Sequence, residues 1–279
     1  MKKNCKIWAW IKSIFSRPTI PVEPPVEPPY IPKKTALLFG INDYPGIQND
    51  LAGCVNDVKD VEFKVKALWP EFVTKLFLNF QVTRNRFLTE LKTAVHALIP
   101  HSNDVLLVWN SSHGTQVYDI SGDESDGYDE ALYLYDGPVL DDEINEILQD
   151  IPEGVTVILC FDTCFSGTVT KAIDTNRKVK FYQMPGVPIR KNIKKRFAEN
   201  FDGNWIVYSG CSENEYSYDA YFDDKPNGAF TYYALKTIER GIDYWKWFMD
   251  IRTYLPNKNH PQSPTLEGPD EKLTKPILT

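Results

Sequence analysis

Residues 104–114 read DVLLVWNSSHG and residues 154–164 read GVTVILCFDTC. Each is a short run of apolar, largely β-branched side chains that stops abruptly at small and polar residues. Neither run shows the 3.6-residue period of an amphipathic helix or the in-and-out alternation of a strand with one wet face. An unbroken run of this length is the pattern of a strand covered on both sides. Residues 35–41 (TALLFGI) repeat it and end in the turn residues Asn42, Asp43, Pro45 and Gly46, and residues 204–211 (NWIVYSGC) give another such strand. Between these strands, helical spacing is predicted over about 51–68, over 84–98 behind a Thr83 cap, and over 228–238. A further strand is predicted near 72–78. Residues 128–135 alternate weakly, as a hairpin arm would, and Asp141 and Asp142 open a short helix to Gln149, where acids suit the positive end of the dipole. Strands alternating with helices predict an α/β fold, with a mostly parallel central sheet and helices on both faces.

The rest of the 279-residue chain fits one catalytic-sized domain behind a tail. Residues 18–32 hold seven prolines and repeat PVEPP, an extended spacer that packs no core, so the domain is expected to run from 33 to 279. Residues 1–17 set Ile7, Trp8, Ile11, Ile14 and Phe15 on one helical face with lysines opposite. That is the pattern of a peripheral membrane contact or a partner-binding tail; the apolar run is too short to span a bilayer. Five unclustered cysteines without a CxxC pair indicate neither a disulfide framework nor zinc, and a reducing, cytoplasmic setting is expected.

Charge sharpens this picture. The formal net charge is −7, which argues against a general nucleic-acid binder. Residues 93–170 contain no Lys or Arg but 15 Asp or Glu, whereas residues 171–196 contain nine basic residues and one acid. The acidic stretch should attract a cation, whether a metal ion or a basic side chain.

In parallel sheets the functional loops follow the carboxyl ends of the strands. Here one such loop, 111–114, offers His113, and the next, 162–167, offers Cys164. Thiolate and imidazole suffice for acyl transfer, with backbone N–H groups near Gly114 and Cys164 placed to hold an oxyanion. Cys160, inside the apolar run, reads as core, and Cys54 and Cys211 as small, partly buried residues.

These residues, in order, resemble the metacaspases: Ser111-Ser112-His113-Gly114-Thr115-Gln116; Asp126-Gly127-Tyr128-Asp129-Glu130; Asp141-Asp142-Glu143; and Asp162-Thr163-Cys164-Phe165-Ser166-Gly167. Gly53-Cys54-Val55-Asn56-Asp57 upstream, and Ser209-Gly210-Cys211 and Gly228-Ala229-Phe230-Thr231 downstream, are similar too. The resemblance implies a caspase-like fold with a large-subunit-like region over about 33–170, a basic linker over 171–200 and a small-subunit-like region over 201–279. It implies a monomeric cysteine endopeptidase cutting proteins after Arg or Lys. His113 and Cys164 take the dyad positions, Asp57 and Asp162 meet the basic side chain, and Cys54 and Ser111 line that pocket. It also implies Ca2+ ligands at Asp129, Asp141 and Asp142, although Lys171 stands where the family often has a further aspartate and Phe165 where it commonly has histidine. A basic linker in such an enzyme is a candidate for self-cleavage, at Lys178, Lys180, Arg190 or Lys191. The alternatives are a solvated, uncut basic helix there and a catalytically quiet scaffold that recruits partners through its tail.

Overall fold

In the computed structural model residues 105–111 form a strand with every residue buried, flanked by the runs at 34–40 and 156–162 in parallel. Residues 29–118, 127–164, 177–188, 203–212 and 215–279 are described here. The central sheet contains β1 (Lys34–Gly40), β2 (Val73–Leu78), β3 (Val105–Ser111), β7 (Thr156–Asp162), β9 (Ile206–Ser209) and β12 (Thr265–Glu267). Its order is β12-β9-β7-β3-β1-β2, parallel throughout except for β12, which runs antiparallel along β9. Residues Pro32–Thr279 form one compact unit. The amphipathic tail lies outside the described residues, and no described helix is long and apolar enough to cross a membrane.

Both sheet faces are covered, which is why the strands read as continuous apolar runs. Ala36, Leu38, Leu107, Trp109, Ile158, Cys160 and Tyr208 pack toward α1 (Cys54–Leu68), α4 (Ala229–Thr237) and α5 (Tyr244–Arg252). The alternate residues Leu37, Phe39, Leu106, Val108, Leu159 and Phe161 pack toward α2 (Arg84–His96) and α3 (Asp141–Leu148). Each such side chain contributes about 1.5–3 kcal/mol on full burial. Thr83 caps α2 by accepting the Arg86 N–H at 3.2 Å, as its position predicts.

Two antiparallel sheets flank the central one. The first is β4 (His113–Tyr118), β5 (Tyr128–Leu134) and β6 (Gly137–Leu140); the second is β8 (Arg177–Val179), β10 (Tyr218–Phe222) and β11 (Lys225–Gly228). Two expectations need correction here, and one holds. Residues 111–114 are not an open loop, because Ser111 ends β3 and His113 begins β4. The stretch after Gly127 is the hairpin arm expected: β5 pairs antiparallel with β6 across Tyr135 and Asp136 and with β4 along its other edge, which buries six of its seven positions and weakens the alternation. Helix α1 starts at Cys54 rather than residue 51, because the Ala52 and Gly53 N–H groups are drawn out to the Asp219 carboxylate at 2.6 and 2.8 Å.

Candidate active site

Register places the two candidate loops side by side. Ser111 pairs with Asp162 across β3 and β7, so His113 and Cys164 each follow that pair by two residues, on strands about 4.8 Å apart. A direct sign of their proximity is a shared acceptor: the N–H groups of Gly114 and Cys164 both donate to the carbonyl of Lys180, at 2.9 and 3.2 Å.

His113 is buried and held from two sides. Its N–H donates to the Tyr44 hydroxyl at 2.9 Å, and its Nε2 lies 2.7 Å from the Asn49 carbonyl. A carbonyl only accepts, so Nε2 carries the proton and Nδ1 keeps its lone pair. Nδ1 has no hydrogen-bond partner among the described residues. Burial pushes the imidazole pKa down to about 4 against the Asn49 carbonyl, so the ring is neutral at neutral pH and able to accept a proton. Cys164 is buried as well, its Sγ–H turned toward the Glu215 carbonyl at 3.3 Å.

The acidic pocket lies beside this pair. Lys180 Nζ is 3.1 Å from Asp57 Oδ2, 3.2 Å from Asp162 Oδ1 and 2.9 Å from Ser111 Oγ, with none of the Lys180, Asp57 or Asp162 side chains exposed. Asp57, in the first turn of α1, also accepts from Ser111 Oγ, Asn227 Nδ2 and the Gly228 N–H, at 2.7, 3.0 and 2.8 Å. Asp162, at the end of β7, accepts from Ser217 Oγ at 2.6 Å and from the N–H and Oγ1 of Thr231 at 3.0 and 2.8 Å. Burial alone would discharge the Lys180 ammonium; Asp162, Asp57 and Asp219 outweigh it and hold its pKa well above the ordinary value. Burial pushes Asp57 up to about 6 despite that ammonium, and it pushes the nearby Cys54 thiol far up, leaving Cys54 an uncharged neighbour of the pocket.

Lys180 therefore departs from the sequence expectation in one respect. It was placed in an exposed linker, yet its side chain is wholly buried, because two carboxylates and a hydroxyl replace the water around its ammonium. Arg177 and Lys178 are strand residues of β8, paired with Ala220 and Asp219, rather than linker. Arg190, Lys191, Lys171 and Phe165 lie outside the described residues.

The family follows from the whole chain. A model of the caspase domain matches residues 33–275. The chain belongs to the caspase-domain family. Metacaspase-1 of Schizosaccharomyces pombe is 29% identical over 279 residues, covering 81% of this chain and 65% of that protein. Metacaspase-1 of Botryotinia fuckeliana is 32% identical over 240 residues, covering 79% of this chain and 55% of that one. This caspase domain thus spans about half to two thirds of the length of these metacaspase relatives. Among solved structures, a Geobacter sulfurreducens protein matches with a TM-score of 0.68 at 27% identity, covering 89% of this chain and 99% of that one. Caspase-1 of Spodoptera frugiperda matches with a TM-score of 0.57 at 13% identity, covering 92% and 94%, and shares the fold.

Of the expected calcium ligands, Asp129 lies on β5 and Asp141 and Asp142 open α3. Asp129 and Asp142 line one cavity with Tyr118, Glu143 and Met184. Calcium takes six to eight oxygens, and no group of three or more His, Cys, Asp or Glu side chains gathers to hold a metal among the described residues.

Several residues of the site were not singled out from sequence. Tyr44 and Asn49 sit in an irregular segment with no recognisable signal. Asn227 comes from the second flanking sheet and Ser217 from the segment just before β10, and neither carries a sequence signal. Gly228 and Thr231 belong to the stretch Gly228-Ala229-Phe230-Thr231, whose sequence alone does not say what these two residues do.

Proposed function

We propose that this caspase domain is a cysteine endopeptidase that cuts after Lys or Arg, and that the bond between Lys180 and Phe181 is its first substrate. The observation that carries this reading is the docking of residues 177–182. Lys180 fills the acidic pocket as the residue before the cut (P1), and its carbonyl lies between two N–H groups suited to an oxyanion. β8 lies on β10 as an added strand, a common way of holding an extended peptide.

The chemistry follows from those positions. The Cys164 thiol swings from the Glu215 carbonyl and gives its proton to His113 Nδ1, and the thiolate adds to the Lys180 carbonyl carbon. Negative charge moves to the carbonyl oxygen, where the Gly114 and Cys164 N–H groups receive it. As the C–N bond breaks, His113 returns the proton to the Phe181 amine, leaving a thioester that water hydrolyses. Asn49 and Tyr44 hold the ring while its Nδ1 shuttles the proton. Until that cut, Lys180 occupies the pocket, so the uncut chain is latent toward other substrates.

Incubating purified protein with fluorogenic peptides ending in Arg, Lys or Asp, with calcium and with chelator, tests the specificity. Cleavage after Arg and Lys but not Asp is expected; equal or preferred cleavage after Asp would overturn it.

A pH dependence follows from the pocket. Asp57 binds an ammonium only when ionised, so with a basic side chain docked, kcat should fall as pH drops through about 6. For kcat/KM, which reports the empty pocket, the midpoint should lie higher, because no ammonium then holds the Asp57 pKa down. His113 loses its base form only near 4 and does not set this limb. Asp57→Asn should flatten the limb and lower the plateau. An unshifted acid limb in that variant would remove Asp57 from the pocket.

A further inference from the structure

Beyond Lys180 the chain continues along β4 rather than turning away. Phe181 bridges to Gly114 in parallel, the Tyr182 N–H donates to the Gly114 carbonyl at 2.8 Å, and Thr115 Oγ1 donates to the Tyr182 carbonyl at 2.8 Å. The backbone of the second residue after the bond to be cut is thus bonded at both ends. Its side chain lies flat on Tyr133, with ring centroids 3.7 Å apart and planes within 7°. Tyr133 is the sixth residue of β5 and pairs in register with His113, so its position is fixed by the same sheet that carries the histidine. Tyr133 also stacks with Tyr44 at 6.0 Å, and its carbonyl accepts from the Tyr44 hydroxyl at 3.2 Å. A cluster of rings therefore connects the leaving side of the cut with His113 and with Tyr44, which holds it. None of this contact is used by the acidic pocket.

We propose that Tyr133 forms a leaving-side subsite that selects an aromatic residue two positions after the cut, so that substrates combine a basic P1 with an aromatic ring at P2′. This rests on the reading of Lys180 as P1. A planar stack favours a ring over an aliphatic side chain of equal apolar area, since offset-stacked rings attract beyond their burial. The backbone bonds from Gly114 and Thr115 are indifferent to the side chain and set only the register. Specificity on this side then belongs to Tyr133.

The test uses the self-processed chain and three internally quenched peptides that share Arg-Lys-Val-Lys-Phe and carry Tyr, Leu or Ala next. The tyrosine peptide should be cut with a kcat/KM about fivefold to tenfold above the other two. That ratio should collapse to about one in Tyr133→Ala and persist in Tyr133→Phe, which keeps the ring. Because it is a ratio within one protein, a general loss of activity in a variant does not alter it. Equal cutting of all three peptides by the wild type would overturn the subsite while leaving cleavage after Lys intact. A tyrosine preference that survives in Tyr133→Ala would also overturn it. A chain that cuts neither the peptides nor itself would overturn both this subsite and the peptidase reading beneath it.

Discussion

Cys164→Ala should abolish peptide cleavage and leave the chain in one piece, with a loss in kcat of about 10⁴-fold or more, the scale seen when a catalytic nucleophile is removed. Ser112, Cys211 and Cys160 are poorly placed to take its part. Ser112 Oγ is committed to Asn110 Nδ2 and the His113 carbonyl, at 2.8 and 3.1 Å. Cys211 Sγ faces the Thr163 carbonyl at 3.5 Å, and Cys160 is sealed inside β7. The substitution should leave folding nearly intact, because Cys164 is small and its thiol is a weak hydrogen-bond donor to the Glu215 carbonyl. Intact far-UV circular dichroism with no cleavage is the expected result; residual processing at the wild-type rate would mean that another group attacks.

Gly228→Ala should be almost as damaging, through the pocket rather than the chemistry. A methyl group at this position would lie 2.1 Å from Asp162 Oδ2, 2.2 Å from Lys180 Nζ and 2.7 Å from Asp57 Oδ2. The long lysine side chain can retreat. The carboxylates cannot, because Asp162 is fixed by Ser217 and Thr231, and Asp57 by Asn227 and the Gly228 N–H. The ammonium is therefore excluded from its own site. Cleavage after Lys or Arg should fall about 100-fold or more, the scale expected when a substrate sits about an ångström out of place. Self-processing at Lys180 should fail in the same variant. If both survive, the space in front of Gly228 is not where P1 binds.

How much of this was legible in the sequence depends on what each residue needs to be recognised. The central strands were legible because burial on both faces writes a continuous apolar run, and their carboxyl ends pointed to His113 and Cys164. Chain order then put Asp162 in the same loop as Cys164. Asp57 became a candidate only through family resemblance, since an acid in the first turn of a helix is equally at home in water. Of the flanking sheets, only the hairpin arm β5 was legible. β4 begins immediately after β3, with only Ser112 between them, and β8 is three residues long within a basic stretch that reads as solvated linker. Lys180 shows the limit most clearly: its charge argued for exposure, and only the convergence of Asp57, Asp162 and Ser111 from three separate segments makes its burial favourable. Asn49 acts through its carbonyl, which any residue supplies, so no side-chain pattern could have marked it.

The central claim is that residues 177–182 lie in the active site as a substrate does, and mapping the processed ends tests it most directly. Purified wild-type protein is incubated beside Cys164→Ala, and the fragments are sequenced from their new N-termini and weighed by mass spectrometry. A first cut between Lys180 and Phe181, absent from Cys164→Ala and independent of protein concentration, as an intramolecular step must be, is the predicted result. A wild-type chain that processes first at Arg190 or Lys191 with the bond after Lys180 left intact, or that cuts only in proportion to its concentration, would contradict it.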